Sequence, residues 1–372
     1  MKIDWRALLN NQMGVLEAVR AMPAALHNLA GAVFPGGGGS APAFITWALT
    51  TECQCNCRHC FMEPEPVASE ATRLQIADRL AESGAWGVSL IGGEPLLVPG
   101  FLDYVQRLKD AGKRVSVGTN GQLLADFADD LVALGVDTIY VSVDSHRREV
   151  HDGLRHTPGL FDAVHAGLRA VAEAGRRAGV QPPRVVARCT LSRANVGELG
   201  ACVDYWHEKV DGMIVQPIQD GTVHDVRDRS LLFTSEDETL VRSELDDLMK
   251  RHSFLRNQYM GSLASYIFDR DELFRRLGYQ CLVQTALSLT ILPDGRAMVC
   301  YGRQDSAVGQ LPGTSVRAIW TDPATRAVQE RTRTDCHDCF CWEAPKLFDL
   351  YLMKPYAFSK ALFQGKNPRS QR

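Results

Sequence analysis

The sequence predicts an α/β fold, a parallel sheet curved into a partial (β/α)6 barrel of TIM-like plan, followed by a small C-terminal hairpin-and-helix domain. Short runs rich in Val, Ile or Thr recur at 44–49, 86–91, 114–118, 137–143, 184–190 and 212–217, as strands of a buried parallel sheet do. Between them lie stretches of helical spacing at 68–83, 100–111, 122–134, 159–178 and 195–209. Alternation of this kind requires crossover helices, hence parallel pairing. The third observation is an Asp294-Gly295 step between the runs 289–293 and 296–301, a strong short-range hairpin signal.

The chain has 372 residues, enough for roughly two domains at about 150 residues each. With 41 Lys and Arg against 44 Asp and Glu, its net charge is -3. No basic surplus exists to neutralise a phosphate backbone, so nucleic-acid binding is disfavoured as the main activity. A composition of 45% hydrophobic and 23% charged residues belongs to an ordinary globular protein.

Residues 1–43 open the chain. Trp5, Leu8, Leu9, Met13, Leu16, Val19, Met22, Leu26, Leu29 and Val33 recur at intervals of mostly three or four, which predicts amphipathic helix broken near Pro23. His27 and Asn28 interrupt the most apolar part, so no membrane span is expected, although such a helix can lie on a membrane surface or a lipid. The run Gly36 to Gly39 follows as a flexible break. The barrel is expected over 44–217, a polar helical connector over 218–278, the small domain over 279–345 and a tail over 346–372.

Cysteine is the unusual feature. Of 11 in all, Cys53, Cys55, Cys57 and Cys60 crowd the front, Cys281, Cys300, Cys336, Cys339 and Cys341 the back, and Cys189 and Cys202 stand alone as expected core thiols. The N-terminus, with Asp4 and Glu17, does not read as an export signal, so a reduced cytoplasmic setting is expected. There, clustered thiols serve as metal ligands or catalytic groups rather than bridges. Cys53, Cys57 and Cys60 form Cys-x3-Cys-x2-Cys directly after the first strand. Three thiolates on one short loop can hold three irons of a cubane and leave the fourth iron without a protein ligand. Zinc would need a fourth ligand such as His59 or Cys55; Cys55 otherwise reads as a bystander.

Further motifs follow successive strands: Gly92-Gly93-Glu94-Pro95, then Thr119-Asn120-Gly121, then Ser142-Val143-Asp144 with His151-Asp152 and Arg155. In this order and placement they resemble the radical S-adenosylmethionine (SAM) superfamily over residues 44 to about 217. The resemblance implies a 4Fe-4S cluster on Cys53, Cys57 and Cys60, whose open iron is chelated by SAM. One-electron cleavage of SAM then yields a 5'-deoxyadenosyl radical that abstracts hydrogen from substrate. It also implies that Gly92, Gly93, Glu94 and Pro95 meet the methionine ammonium, with a Gly pair allowing close backbone approach. Ser142 and Asp144 are placed near the ribose or carboxylate, Asn120 among the cofactor contacts, Arg188 at the methionine carboxylate, and Val215 and Gln216 at the adenine. Read without the resemblance, Ser142, Asp144 and Asn120 are caps and turn residues, and Arg188 a structural ion-pair partner.

The rear cysteines have the pattern Cys281-x13-Gly295-x4-Cys300, then Cys336, Cys339 and Cys341. This resembles the SPASM extension or its shortened twitch form, which holds auxiliary 4Fe-4S clusters. Five cysteines imply one such cluster on Cys281, Cys300, Cys336 and Cys339, with Cys341 able to replace Cys339; a structural zinc site is the rival. Relatives of this kind imply a small-molecule, cofactor-precursor or peptide substrate and an electron donor such as flavodoxin or ferredoxin. Two other expectations stay open: the same chemistry on a lipid reached through the N-terminal helix, or a non-catalytic zinc-binding interaction protein. Asp220 and Tyr301 are site candidates by position alone.

Overall fold

The computed structural model of the chain describes residues 40–219, 226–277 and 287–335. The N-terminal helical segment, Asp220, Cys281, Cys336, Cys339, Cys341 and the tail lie outside the described residues.

Six strand-helix units make the core: β1 (Phe44–Ala48), α1 (Glu70–Ala81), β2 (Gly87–Ile91), α2 (Phe101–Asp110), β3 (Arg114–Thr119), α3 (Leu124–Ala133), β4 (Thr138–Ser142), α4 (Arg148–Arg155), α5 (Leu160–Ala178), β5 (Arg184–Leu191), α6 (Leu199–His207) and β6 (Gly212–Pro217). Each strand lies within a residue or two of its expected span. Local chemistry explains the helix ends: Ser69 Oγ accepts from Thr72 N at 3.2 Å to start α1, and Gly179 at φ 66° ends α5. The short helix α4, between the expected strand 137–143 and the expected helix 159–178, carries His151, Asp152 and Arg155.

The connector supplies α7 (Glu238–Arg251), α8 (Gln258–Phe268) and α9 (Arg270–Leu277). The C-terminal part has β7 (Ser288–Ile291), β8 (Arg296–Met298), β9 (Ala307–Gln310), α10 (Val316–Thr321) and α11 (Pro323–Asp335). The last two helices are parted at Asp322-Pro323, where proline cannot continue the hydrogen-bond ladder. The strand order is β6-β5-β4-β3-β2-β1-β7-β8-β9. Every pair from β6 to β7 is parallel, whereas β8 is antiparallel to both of its neighbours, β7 and β9. The hairpin expected as a separate domain is therefore hydrogen-bonded to β1 and continues the core sheet.

The strands are two-faced. In β3, Val115 and Val117 are fully buried and join Leu90, Val141, Leu108 and Leu131 in one core with the helices. Ser116 and Gly118, between them, are only half buried. The same alternation puts Thr46, Ser89, Ser116, Tyr140, Ser142, Arg188, Thr190 and Gln216 on the other face. Apolar side chains thus meet the helices, and a polar wall lines the open side.

The helices α3 and α5 pack in close contact. A Cβ on Gly167 would sit 2.7 Å from Leu124 Cβ, inside the repulsive wall. Gly167→Val is expected to destabilise the chain by about 1–3 kcal/mol, read as a lower denaturant midpoint; an unchanged midpoint would refute this contact.

Candidate active site

All the motif loops meet at the carboxyl ends of the strands, where parallel sheets gather their chemistry. The cysteine loop leaves β1 at Thr50 and is held by backbone on both sides. On one side, Gly93 N donates to Thr50 O at 2.8 Å and Glu94 N to Glu52 O at 2.8 Å. On the other, Arg58 N donates to Leu154 O at 3.0 Å, Arg227 N to Cys60 O at 3.2 Å and Asp228 N to Arg58 O at 3.0 Å. The segment following residue 226 thus straps the loop, reinforced by Arg58 Nε on Asp228 Oδ2 at 2.8 Å. Leu154, Ile218, Val226 and Leu231 form a small core beneath the strap.

The glycine pair serves that clamp. At Gly92, with φ 150°, a Cβ would lie 2.4 Å from Thr50 O, and at Gly93 one would lie 2.1 Å from Glu52 O. The close approach expected toward a ligand is taken up by the chain's own backbone. Glu94 is likewise turned inward. It is fully buried and accepts from Leu96 N at 3.2 Å, Thr119 Oγ1 at 2.9 Å and Asn120 N at 2.8 Å, joining the loop after β2 to the end of β3. Pro95, also buried, starts the short turn 95–97. Neither the Glu94 carboxylate nor its neighbour Pro95 is open to a ligand.

Asp144, expected near the ribose or carboxylate, is likewise engaged within the chain. Its carboxylate is buried and occupied: Arg155 Nε donates to Oδ2 at 2.6 Å and Thr190 N to Oδ1 at 3.0 Å. Burial works against its charge, and Arg155 and His59 more than offset that, holding the carboxyl down at about 2. Asp144 N donates to His151 Nδ1 at 3.2 Å, and Asn195 Nδ2 donates to Asp144 O at 2.8 Å. Burial pushes His59 and His151 down to about 4, so both are neutral imidazoles near pH 7.

The cysteine sulfurs meet donors. Among the described residues Cys53, Cys55, Cys57, Cys60, Cys189 and Cys202 are free thiols. Cys53 Sγ accepts from Cys55 N at 3.4 Å and Asn120 Nδ2 at 3.6 Å; Cys60 Sγ accepts from Met62 N at 3.4 Å; Cys57 Sγ accepts from Arg155 Nη1 at 3.9 Å. Cys55 acts as a donor to its neighbours, and this lowers Cys53 to about 6 and Cys57 to about 7, while the Cys55 thiol itself is pushed far up. Burial raises Cys60. Donors on three sulfurs suit thiolate ligands, so the loop fits an iron-sulfur cluster. No three His, Cys, Asp or Glu side chains converge around a single ion among the described residues.

Other site candidates stay on the polar wall. Ser142 pairs with Arg188 across β4 and β5, and the Arg188 guanidinium lies over the Tyr140 ring at 4.8 Å. Gln216 Oε1 is buried without a hydrogen-bond partner among the described residues, an acceptor left for something seated against the wall. The Val215 side chain, by contrast, faces the helices within the core. Cys189 and Cys202 are core thiols. At the rear, Cys300 is buried, with Ser306 Oγ donating to its carbonyl at 2.9 Å. Tyr301 hydroxyl donates to Met62 Sδ at 3.0 Å, and its ring meets Phe61 at 6.3 Å, so the hairpin touches the residues just after Cys60. Sequence reasoning missed the Arg155 contact with Cys57 and the strap. In the sequence Arg155 stands out only as part of a motif, and nothing in the strap's composition marks it.

Comparison with known proteins agrees with this arrangement. Residues 47–186 match the model of the radical SAM superfamily, and residues 281–340 match that of an iron-sulfur cluster-binding domain, SPASM. The chain thus carries a radical SAM domain and a SPASM domain, whose cofactors are S-adenosylmethionine and iron-sulfur clusters. Over 141 residues it is 36% identical to the AdoMet-dependent heme synthase of Methanosarcina barkeri, covering 36% of this chain and 40% of that protein. Over 270 residues it is 25% identical to a probable GTP 3',8-cyclase of Methanothermobacter thermautotrophicus, covering 70% of this chain and 85% of that one. It thus spans about two fifths of the length of the heme synthase, and likewise of the Fe-coproporphyrin III synthase of the same organism, at 41%. In fold it is similar to Streptococcus suis SuiB, with TM-score 0.57, 13% identity and coverage of 77% of this chain and 67% of SuiB. It is also similar to anSMEcpe with bound AdoMet, with TM-score 0.56, 16% identity and coverage of 82% and 89%.

Gly93→Ala should push the cysteine loop off the clamp. About 1–3 kcal/mol of stability is expected to be lost, together with most of the iron held after anaerobic reconstitution; full iron content would refute the clamp. Burial raises the Glu94 carboxyl from 4.5 to about 7 against the pull of its donors. A carboxyl raised on folding stabilises the folded chain below its unfolded value, and that contribution fades as pH climbs through the folded value. The metal-free wild type should therefore lose stability relative to Glu94→Gln between pH 4.5 and about 7. Denaturant midpoints of the two proteins that run parallel across this window would contradict the shift.

Proposed function

We propose that this chain cleaves SAM at a 4Fe-4S cluster held by Cys53, Cys57 and Cys60 and uses the result to activate an unreactive C–H bond of a small-molecule substrate of the cofactor-precursor kind. The observation that carries the reading is the cysteine loop itself: three free thiols at the end of β1, each with a donor on its sulfur, fixed by backbone hydrogen bonds from both sides. Bound there, cluster and SAM together supply one-electron chemistry that no side chain of the protein can provide. The protein's own part is positional. Asn120 Nδ2 and the backbone N–H groups of Cys55 and Met62 donate to the sulfurs of Cys53 and Cys60, while Ser142, Arg188, Tyr140 and Gln216 offer a polar wall for the cofactor and the substrate beside it.

An auxiliary cluster is assigned to Cys300 with Cys281, Cys336 and either Cys339 or Cys341. Reduced flavodoxin or ferredoxin would deliver the electron, in a cytoplasmic setting where thiols stay reduced. The choice of a small molecule draws on the relatives named as a heme synthase and GTP cyclases. Among the described residues, no helix is long and apolar enough to cross a membrane.

Anaerobic reconstitution is expected to give a brown, oxygen-sensitive protein with about eight irons per chain, four per cluster, that forms 5'-deoxyadenosine from SAM on reduction. Replacing Cys53, Cys57 and Cys60 by Ala should halve the iron and abolish that product. A colourless wild type after reconstitution would sink the proposal, and transfer of deuterium from a peptide rather than a small molecule into 5'-deoxyadenosine would overturn the substrate class.

A further inference from the structure

Beneath the cysteine loop lies a buried ion pair that the reaction as described does not use. Arg155, at the end of α4, is 8% exposed and Cys57 is 8% exposed, so water barely screens the 3.9 Å between Arg155 Nη1 and the Cys57 sulfur. The guanidinium cannot swing away. Asp144 accepts from its Nε at 2.6 Å, and Asp144 is itself fixed by Thr190 N, Asn195 Nδ2 and His151. His59, the other group facing Asp144, lies 3.8 Å from Oδ2. The pair is neutral as a whole but polarised, because the Arg155 end touches the sulfur.

We propose that Arg155 is a positioning residue that holds a fixed positive charge against the Cys57 thiolate and thereby raises the reduction potential of the front cluster. This rests on the assignment of that cluster to Cys53, Cys57 and Cys60. Reduction by one electron adds negative charge to the cluster, and a nearby cation stabilises the reduced form more than the oxidised one. Cluster potentials respond to net charge, to hydrogen bonds on the sulfurs and to solvent exposure, and Arg155 contributes the first two in a site where the third is small. Asp144 is then the anchor of the cation rather than a ligand for the cofactor, which explains why both its oxygens are spent inside the protein.

The test is a redox titration of the full, reconstituted chain, followed by the electron paramagnetic resonance signal that changes when SAM is added. Arg155→Met is compared with wild type. The double variant D144N/R155M accompanies it, since it removes the charge without leaving Asp144 buried and unpaired. In both, the one-electron reduction equilibrium is expected to weaken tenfold or more, a midpoint more negative by about 59 mV, with Arg155→Lys in between. Midpoints equal to wild type in both variants would overturn the proposal. So would loss of iron in both with circular dichroism unchanged, because Arg155 would then build the site instead of tuning it. A wild-type chain that takes up no iron fails differently: it removes the cluster assignment before any variant is measured.

Discussion

Two peptide hydrogen bonds carry the site. Gly93 and Glu94 donate them to the carbonyls of Thr50 and Glu52, and through them the loop after β2 grips the first residues of the cysteine loop. Contact this close leaves no room for a side chain, which is why two glycines stand there. A loop bearing four closely spaced thiols gains little order from its own composition, since it has few apolar residues to bury. Its shape is borrowed from neighbours: the glycine clamp on one side, Leu154 and the 226–231 strap on the other.

Buried carboxylates complete that scaffold. Glu94 joins the ends of β2 and β3, and Asp144 joins the ends of β4 and β5 to α4. A carboxylate in the interior is costly unless its oxygens find donors. Each of these has donors from two separate elements, which offset part of that cost and tie the loops together. The two acids differ in charge environment. Asp144 has a guanidinium beside it and stays ionised far below neutral pH, whereas Glu94 has only neutral donors.

Much of this was legible in the sequence. Six strands and their helices could be placed because buried parallel strands are short apolar runs, and the order of motifs after successive strands located the site. What escaped was set by partners far along the chain. Glu94, Asp144 and the Gly92-Gly93 pair look like ligand contacts in a motif, and only three-dimensional context shows their atoms spent on Thr50, Glu52, Asn120, Thr190 and Arg155. The pairing of β7 with β1 was invisible for the same reason, because register between strands some 240 residues apart leaves no local trace.

That last pairing bears on how the molecule comes to be made. β1 is an inner strand flanked by β2 and β7, yet one flank is encoded near the front of the chain and the other near the back. During synthesis the front half can assemble its parallel strands early, while the far edge of β1 stays bare until the last quarter of the polypeptide emerges. A bare, apolar strand edge is an invitation to sticky intermolecular pairing. Expression in short, C-terminally truncated form should accordingly favour inclusion bodies, and slow translation through residues 218–287 would lengthen the hazardous interval.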